Sequence, residues 1–331
     1  MIYIETGSDD ASFNFSAEEH CMEYFRGGEP VWMAWQAGKC VMLGRNQIAG
    51  AEIDVGEAER SGVSIVRRSS GGGAIFTDMG TLLNTLILPY GDGSDAKQAL
   101  IKNMGEPIVR SLYKMGIQAR LEGRNDILVD GRKVSGMAQY IKGGKLCSHS
   151  SLLFDTDMDM MAKVLRTDFG KIQTKALRSM SGRVTNLIEH LQDPCPMRAF
   201  WDRLKEGIFE GAEVSEYRFT ERDVARIEEI RRAKYASGEW TFGRDPKFSY
   251  RDGKRFAGGK VEAFLEIEDG AVKTCRLAGD FMSLLPIRLL EEQIEGAGYN
   301  VDVLRRRLAG VRLGDYIGEI SVDELLSCMF A

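Results

Sequence analysis

Residues Leu82 to Leu88, Leu-Leu-Asn-Thr-Leu-Ile-Leu, form an almost continuous apolar run. A strand with one wet face alternates apolar and polar residues, whereas a run without alternation belongs in the middle of a sheet covered on both faces. The run is therefore expected to be a central strand with other elements packed above and below it. Asn84 is the odd polar member and needs a hydrogen-bonding partner once buried. The 331 residues suffice for one large or two ordinary domains, and an apolar content of 44% supports a proper core.

Elements around this run can be read in order. Residues 1–5 read as a short edge strand, and Ser16-Ala17-Glu18-Glu19 has capping-box spacing for a helix burying Ala17, Cys21 and Phe25. Residues 31–35 and 40–43 read as a strand pair joined by a tight turn, with Trp32 and Trp35 on opposite faces. A short helix ends at Gly62 and leads to the strand Val63-Ser64-Ile65-Val66. Ile101, Met104, Ile108, Leu112 and Met115 recur at helical spacing up to Gly116, with a kink or restart expected at Pro107. After a strand at 117–121, Asp130-Gly131 signals a two-residue hairpin turn between 126–129 and 133–136, and residues 145–154 continue the sheet. Period two puts Lys133 and Ser135 on one face.

Helices follow at 157–165, 197–209 and 220–235, the last with Thr220-x-x-Asp223 at its start and Gly238 at its end. Gly238 divides the chain into residues 1–238 and 239–331. The second part holds strands at 261–267 and 272–277 around Asp269-Gly270, then helical stretches from Pro286, Val301 and Val322, a small α+β unit.

Between the strand ending at Val66 and the run at Leu82 lies Arg67-Arg68-Ser69-Ser70-Gly71-Gly72-Gly73-Ala74-Ile75-Phe76. It reads as strand, glycine loop, strand. Glycines accept φ > 0 and let a bulky anion approach backbone N–H groups, and the arginines supply positive charge, so a phosphate-binding loop is one reading. A glycine-rich hairpin flanked by solvated arginines is the other. No Gly-Lys-Ser/Thr closes the loop and no helix is signalled after it, which excludes a Walker loop and the dinucleotide fingerprint.

The formal net charge of −5 argues against a broad nucleic-acid surface, and Arg305-Arg306-Arg307 reads as a solvated helix face. Six cysteines, Cys21, Cys40, Cys147, Cys195, Cys275 and Cys328, are scattered without Cys-x-x-Cys pairing, so neither a disulfide framework nor a zinc site is expected. The N-terminus lacks a basic region followed by an apolar core, and no apolar run approaches membrane-spanning length. A soluble cytoplasmic protein with no membrane partner is the expectation.

The glycine-loop stretch resembles the signature of lipoate-protein ligases. Asn14-Phe15-Ser16-Ala17-Glu18-Glu19, Leu43-Gly44-Arg45-Asn46-Gln47, Gly123-Arg124-Asn125-Asp126, Lys133-Val134-Ser135-Gly136, Arg183-Val184-Thr185-Asn186-Leu187 and Trp240-Thr241-Phe242-Gly243 fall in the family's order, so the resemblance covers nearly the whole chain. Thr77 departs from it, standing where the family often has histidine, and no acid–base role is assigned there.

The resemblance implies a large mixed-sheet core of the lipoate/biotin ligase type followed by a small C-terminal α+β domain. It implies ATP-dependent activation of lipoate to an adenylate, with release of pyrophosphate, then transfer to a lysine of apo-lipoyl domains of 2-oxoacid dehydrogenase complexes and of the glycine-cleavage carrier protein. ATP would enter with Mg²⁺. By this carry-over Arg68, Gly73, Ala74, Ile75, Phe76, Asn125 and Asp126 contact ATP, Asp126 helps hold the metal, and Gly72 and His149 lie against lipoate. Lys133 is the catalytic residue, reaching both lipoate and the α-phosphate. Taken alone, Lys133 is a solvated lysine past a hairpin, Asn125 and Asp126 are ordinary turn residues, and His149 is a surface or structural histidine. Phe76 and one of Trp32 or Trp35 are candidates for the lipoyl slot. Alternatives are a cysteine-dependent octanoyl or lipoyl transferase, with Cys147 beside His149 on one strand face, and a silent lipoyl-binding or regulatory protein. Biotin ligation is a more distant reading.

Overall fold

The computed structural model describes residues 1–24, 28–91, 95–166, 182–242, 248–268 and 270–330. Phe25, Gly243 and Asp269, each named above, lie outside them.

The strands are β1 (Ile2–Glu5), β2 (Val31–Trp35), β3 (Cys40–Leu43), β4 (Ser64–Arg67), β5 (Ile75–Thr77), β6 (Thr81–Pro89), β7 (Ala119–Glu122), β8 (Asp126–Val129), β9 (Arg132–Lys142), β10 (Lys145–Leu153), β11 (Ser215–Glu216), β12 (Tyr250–Phe256), β13 (Gly259–Glu268) and β14 (Ala271–Gly279). Eight form a mixed sheet in the order β11-β1-β2-β6-β10-β9-β8-β7, and β4-β3-β5 form a second, smaller sheet. The apolar run is β6, paired antiparallel with β2 and β10 near the middle of the large sheet. Its two faces enter different cores. Leu82 and Leu86 meet Ile108, Leu112, Phe200 and Leu204 on one side. Leu83 and Ile87 meet Phe15, Cys21 and Ile227 on the other. Each fully buried leucine contributes about 1.5–3 kcal/mol relative to exposure. Asn84 finds the partner it needs, its Oδ1 accepting from Trp32 Nε1 at 3.1 Å.

Among the helices of the described residues are α1 (Ala11–Tyr24), α2 (Glu106–Lys114), α3 (Met197–Ile208), α4 (Glu221–Ile230) and α5 (Gly238–Phe242), which flank the site or frame the large sheet. Thr220 caps α4 in a capping box with Asp223. A π-helical turn at Ile101–Gly105 precedes Pro107 in the first turn of α2, where the missing N–H of proline costs nothing.

Several local expectations change. The first strand is not an edge, because the two-residue β11 pairs with it in parallel. Helix α1 opens before Ser16: Asp10 Oδ1 accepts the Ser12 N–H at 2.8 Å, while Ser16 lies inside the helix with its hydroxyl on Ser12 O. An earlier and better-placed carboxylate displaces the capping box. Strands β2 and β3 do not pair, since β3 joins β4 and β5 instead, and Gly38 N–H donates to Asp9 O where the chain leaves β2. Gly238 opens α5 rather than ending the preceding helix.

The Asp130-Gly131 turn forms as expected, with both residues at positive φ, 50° and 75°. Register then slips. Ile127 pairs with Ser135 but Leu128 with Lys133, so a bulge interrupts β9 between them. Cross-strand partners share a face, and Ile127 and Leu128 alternate. Lys133 and Ser135 are therefore on opposite faces, against the simple period-two expectation.

The C-terminal unit is a three-stranded sheet, β12-β13-β14, backed by helices Arg288–Ile294, Val301–Leu308 and Val322–Ser327 around Val261, Leu265, Leu277, Leu290 and Leu304. Its first strand, rich in charged residues, escaped the sequence reading. This unit packs on the glycine loop: Gly72 N–H donates to Phe281 O at 3.1 Å, Gly279 N–H to Asn46 O at 3.1 Å and Ile141 N–H to Leu284 O at 2.9 Å.

Candidate active site

The glycine loop is not a hairpin. Strands β4 and β5 flank β3, so residues 68–74 cross the end of that strand. Neither arginine is solvated: Arg67 is 1% and Arg68 5% exposed. Arg67 donates to the carbonyls of Gly44, Arg45 and Gln47 and, across the molecule, to those of Trp240 and Thr241 in α5. Trp240 Nε1 donates back to Arg67 O at 2.8 Å. Arg68 folds the loop on itself, donating to Met42 O, Gly71 O, Gly73 O and Ser70 Oγ. Burial, reinforced by the neighbouring Arg67 charge, lowers its pKa to about 10. Gly72 has φ +89°, and a Cβ on Gly71 would press on Phe281 O and Ser283 N. The tight backbone at this loop requires glycine for two different reasons.

Below the loop lies a cleft of about 140 Å³. Arg68, Gly72, Gly73, Ala74, Ile75, Asn125, Lys133 and His149, eight positions singled out from the sequence, all line it. Phe76 does not join them. Its ring is buried with Val41, Leu43 and Ile53 under the small sheet. Trp32 and Trp35 lie in the two opposite cores, so neither forms the slot. Phe15, Met42, Leu83 and Met137 supply apolar wall in their place.

Lys133 stands at one end. The bulge turns it to the face of Gly136, and its Nζ pairs with Asp126 Oδ1 at 2.7 Å, both side chains more than one-third exposed. Its backbone is clamped by the segment after the sheet: Lys133 N–H donates to Arg183 O at 2.7 Å, and Lys133 O accepts from Thr185 N–H at 3.0 Å. Asn125 Nδ2 donates to Met137 O, bracing the same strand from the β8 side.

The other end is polar and was largely missed. His149 Nε2 lies 2.5 Å from Glu18 Oε2, and His149 Nδ1 3.1 Å from Ser70 Oγ. Glu18, fully buried on α1, also accepts from Thr85 Oγ1 and Tyr140 OH. Its place in Asn14-Phe15-Ser16-Ala17-Glu18-Glu19 was the available signal, read instead as a helix start. Cys147 Sγ is 3.5 Å from His149 Nε2, as the shared strand face requires. Burial first, then the Glu18 charge, pushes its thiol well above the usual range, which leaves little thiolate for nucleophilic attack.

A second cluster ties the loop to the segment before α5. Tyr235 OH and Lys234 Nζ reach Ser69 Oγ at 2.6 and 2.9 Å, and both meet Glu19 Oε2. Burial alone would raise the Glu19 pKa, but the Lys234 charge, with hydrogen bonds from Lys142, Lys234 and Tyr235, prevails and holds it at about 2. Lys234 gives up part of that benefit to its own burial, which lowers its pKa.

Residues 10–209 match the family model of the lipoyl protein ligase A/B catalytic domain, and residues 245–329 that of the bacterial lipoate protein ligase C-terminus. The chain is similar to lipoate-protein ligase LplJ of Bacillus subtilis (strain 168), 32% identical with 100% of each chain covered. It is also similar to lipoate–protein ligase 1 of Staphylococcus aureus (strain Mu50 / ATCC 700699), 29% identical over 97% of each. Among solved structures, P. falciparum LipL1 in complex with lipoate matches with a TM-score of 0.77 at 20% identity, covering 94% of both chains. A lipoate-protein ligase A bound with ATP matches with a TM-score of 0.63 at 25% identity, covering 73% of this chain and 98% of that one. The bipartite archaeal ligase of Thermoplasma acidophilum, described with its E2 lipoyl domain, gives a TM-score of 0.66 at 25% identity, covering 75% of this chain and 98% of that one.

Proposed function

The chain belongs to the lipoate-protein ligase family, and we propose that it activates lipoate with ATP and transfers the lipoyl group to a lysine of an acceptor domain. In the first step a lipoate carboxylate oxygen attacks the α-phosphorus, and the bond to pyrophosphate breaks. In the second the acceptor ε-amine attacks the acyl carbonyl, AMP leaves with the bonding electrons, and the amine loses a proton. Both transition states gather negative charge on oxygens that preorganised donors must meet. The observation that carries the reading is the convergence of the Lys133 ammonium and the glycine loop on one cleft with an apolar wall.

Lys133 is the residue we assign to both steps, placing a compact ammonium between the acyl carbonyl and an α-phosphate oxygen. Arg68, Gly73, Ala74, Ile75 and Asn125 form the ATP side; four Arg68 bonds to the loop and its neighbours make it a shaper of that surface. Gly72 and His149 face lipoate. The Asp126 carboxylate, open to solvent beside Lys133, suits a hard cation that keeps several waters, so Asp126 would hold Mg²⁺. When bound, the ion supplies charge neutralisation of the triphosphate. The acceptors we propose are apo-lipoyl domains of 2-oxoacid dehydrogenase complexes and the glycine-cleavage carrier protein, met in the cytoplasm. Among the described residues no helix is long and apolar enough to cross a membrane.

We place the working units at 1–238 and 239–331, with a swing about Ser237-Gly238-Glu239 admitting the acceptor. Such a swing must first release Trp240 and Thr241 from Arg67. Small-angle scattering with a non-hydrolysable lipoyl-adenylate analogue should then differ from the free profile; identical profiles would refute it. The activity itself is tested by incubating the protein with lipoate, ATP-Mg²⁺ and apo-lipoyl domain. The expected result is pyrophosphate together with a lipoyl mass increment on the domain, and the absence of both refutes the assignment.

A further inference from the structure

The cleft wall opposite Lys133 is held by a continuous chain of hydrogen bonds that no activity described so far requires. It runs from Glu18 Oε2 to His149 Nε2 at 2.5 Å, from His149 Nδ1 to Ser70 Oγ at 3.1 Å, and from Ser70 Oγ to Arg68 Nε at 3.1 Å. Arg68 Nη2 then donates to Gly71 O and Gly73 O, both at 2.7 Å. The far end is a carboxylate with no exposed surface, set on a helix whose neighbouring residues Phe15, Cys21 and Met22 are core. Burying a carboxylate costs several kcal/mol unless its oxygens are bonded, and an apolar residue would fill the position more cheaply. The near end is the loop that forms the cleft roof. Of the chain's members, His149 and Arg68 line the cleft, while Glu18 and Ser70 stand behind it.

We propose that Glu18 is a positioning residue of this site, acting through His149 and Ser70 on the ring in the cleft wall and, through Arg68, on the glycine loop. One direction of donation satisfies every atom. Arg68 Nε–H donates to Ser70 Oγ, Ser70 O–H donates to His149 Nδ1, and His149 Nε2–H donates to Glu18. The opposite tautomer points two N–H groups at the Ser70 oxygen, displaces its proton and leaves the Glu18 oxygen facing a ring lone pair. A histidine's free nitrogen state is set by the bond its other nitrogen makes, so the carboxylate on α1 determines which face of the ring chemistry Ser70 meets. The ring is flanked by Phe15 and Tyr140, at centroid distances of 6.1 and 5.9 Å.

The consequence for lipoate rests on the ligase reading, but the ring state does not. Nitrogen NMR of ¹⁵N-histidine-labelled protein, in mildly alkaline buffer and without substrates, reads it directly. There are three histidines, and His149→Gln assigns the relevant signals. A pyrrole-type Nε2 and an imine-type Nδ1 are expected in the wild type. Glu18→Met, close in length but without an acceptor for His149 Nε2–H, should mix or reverse them, and Ser70→Ala should move the Nδ1 signal alone. In lipoate activation, each variant should raise KM for lipoate about tenfold or more, the loss expected of one charge-assisted bond in a buried network. Because they act along one chain, the double variant should be little worse than the worse single. Ser70→Thr, which keeps the hydroxyl, should restore both the Nδ1 signal and KM.

An unchanged ring pattern in Glu18→Met overturns the proposal, and so do fold-changes that multiply in the double variant. If Glu18→Met does not fold, the ring signals of Ser70→Ala and Ser70→Thr decide alone: equal spectra overturn it. A chain that fails to ligate lipoate yet shows the stated ring pattern would refute the ligase reading and leave the positioning role standing.

Discussion

Replacing Arg67 by methionine tests whether this buried cation is a strut or a ligand. Methionine fills a similar volume but donates nothing, so the carbonyls of Gly44, Arg45, Gln47, Trp240 and Thr241 all lose a charged donor at once. An orphaned buried acceptor costs about 1–3 kcal/mol, which for five of them exceeds what any single substitution usually shows. Removing the guanidinium also relieves its own desolvation, worth several kcal/mol, and partial relaxation of the exposed end of α5 recovers more. The net loss expected is about 3–5 kcal/mol, in line with removing one partner of a buried charged network. For a unit of this size that lowers Tm by roughly 6–20 °C. Tryptophan emission during a thermal melt is the assay, because Trp240 Nε1 donates to Arg67 O and its indole reports release of α5. Arg67→Lys should fall between the two, since three donors cannot reach both segments. A drop below about 2 °C, or less than about 1 kcal/mol, would refute the strut. Loss of ATP binding without loss of stability would make Arg67 a ligand.

Three further outcomes are expected. Lys133→Met should slow both activation and transfer, each by about a hundred- to thousandfold; wild-type transfer from synthetic lipoyl-adenylate would confine Lys133 to the first step. Cys147→Ala should keep most ATP-dependent ligation, because the fully buried thiol is held protonated; loss of activity with a thioester trapped on Cys147 in the wild type would overturn this. Glu19, with its pKa depressed to about 2, binds its proton more weakly folded than unfolded, so its stabilisation is fully present above the unfolded pKa near 4.5 and is lost as pH falls toward 2. Glu19→Gln should flatten the fall in Tm across that window, and an unchanged slope would show that Glu19 does not carry it.

The central strand was legible because an apolar run without alternation has few places to go, and β6 takes the expected one. The turn at Asp130-Gly131 was equally legible, since two residues with φ > 0 admit few alternatives. What sequence spacing could not carry was the consequence of the turn two residues later. A bulge adds one residue to a strand without any compositional mark, and it placed Lys133 and Ser135 on opposite faces. The same limit applies to partners distant in sequence. Arg67 and Arg68 look alike in a row of charges, yet one is committed to residues 240–241 and the other to its own loop. Glu18 looks like a helix-surface acid until Tyr140, Thr85 and His149 close over it. Phe76 and the tryptophans were offered to the slot as aromatic residues near the loop, but core packing claimed them, and the smaller Met42, Leu83 and Met137 were left to form the wall.

The bond from Arg67 to Thr241 also sets an order of events during synthesis. The two residues are 174 positions apart, so when the arginine emerges from the ribosome its partner has not been made. At about 5–20 residues per second the interval is roughly 9–35 s. Through that time Arg67 has the carbonyls of Gly44, Arg45 and Gln47 but not those of Trp240 and Thr241, and for most of it β1, which waits for Ser215 and Glu216, has an open edge. A nascent chain of this protein thus carries an unfinished, positively charged loop and an unpaired strand together. It is in this period, rather than after release, that aggregation or a chaperone would find it.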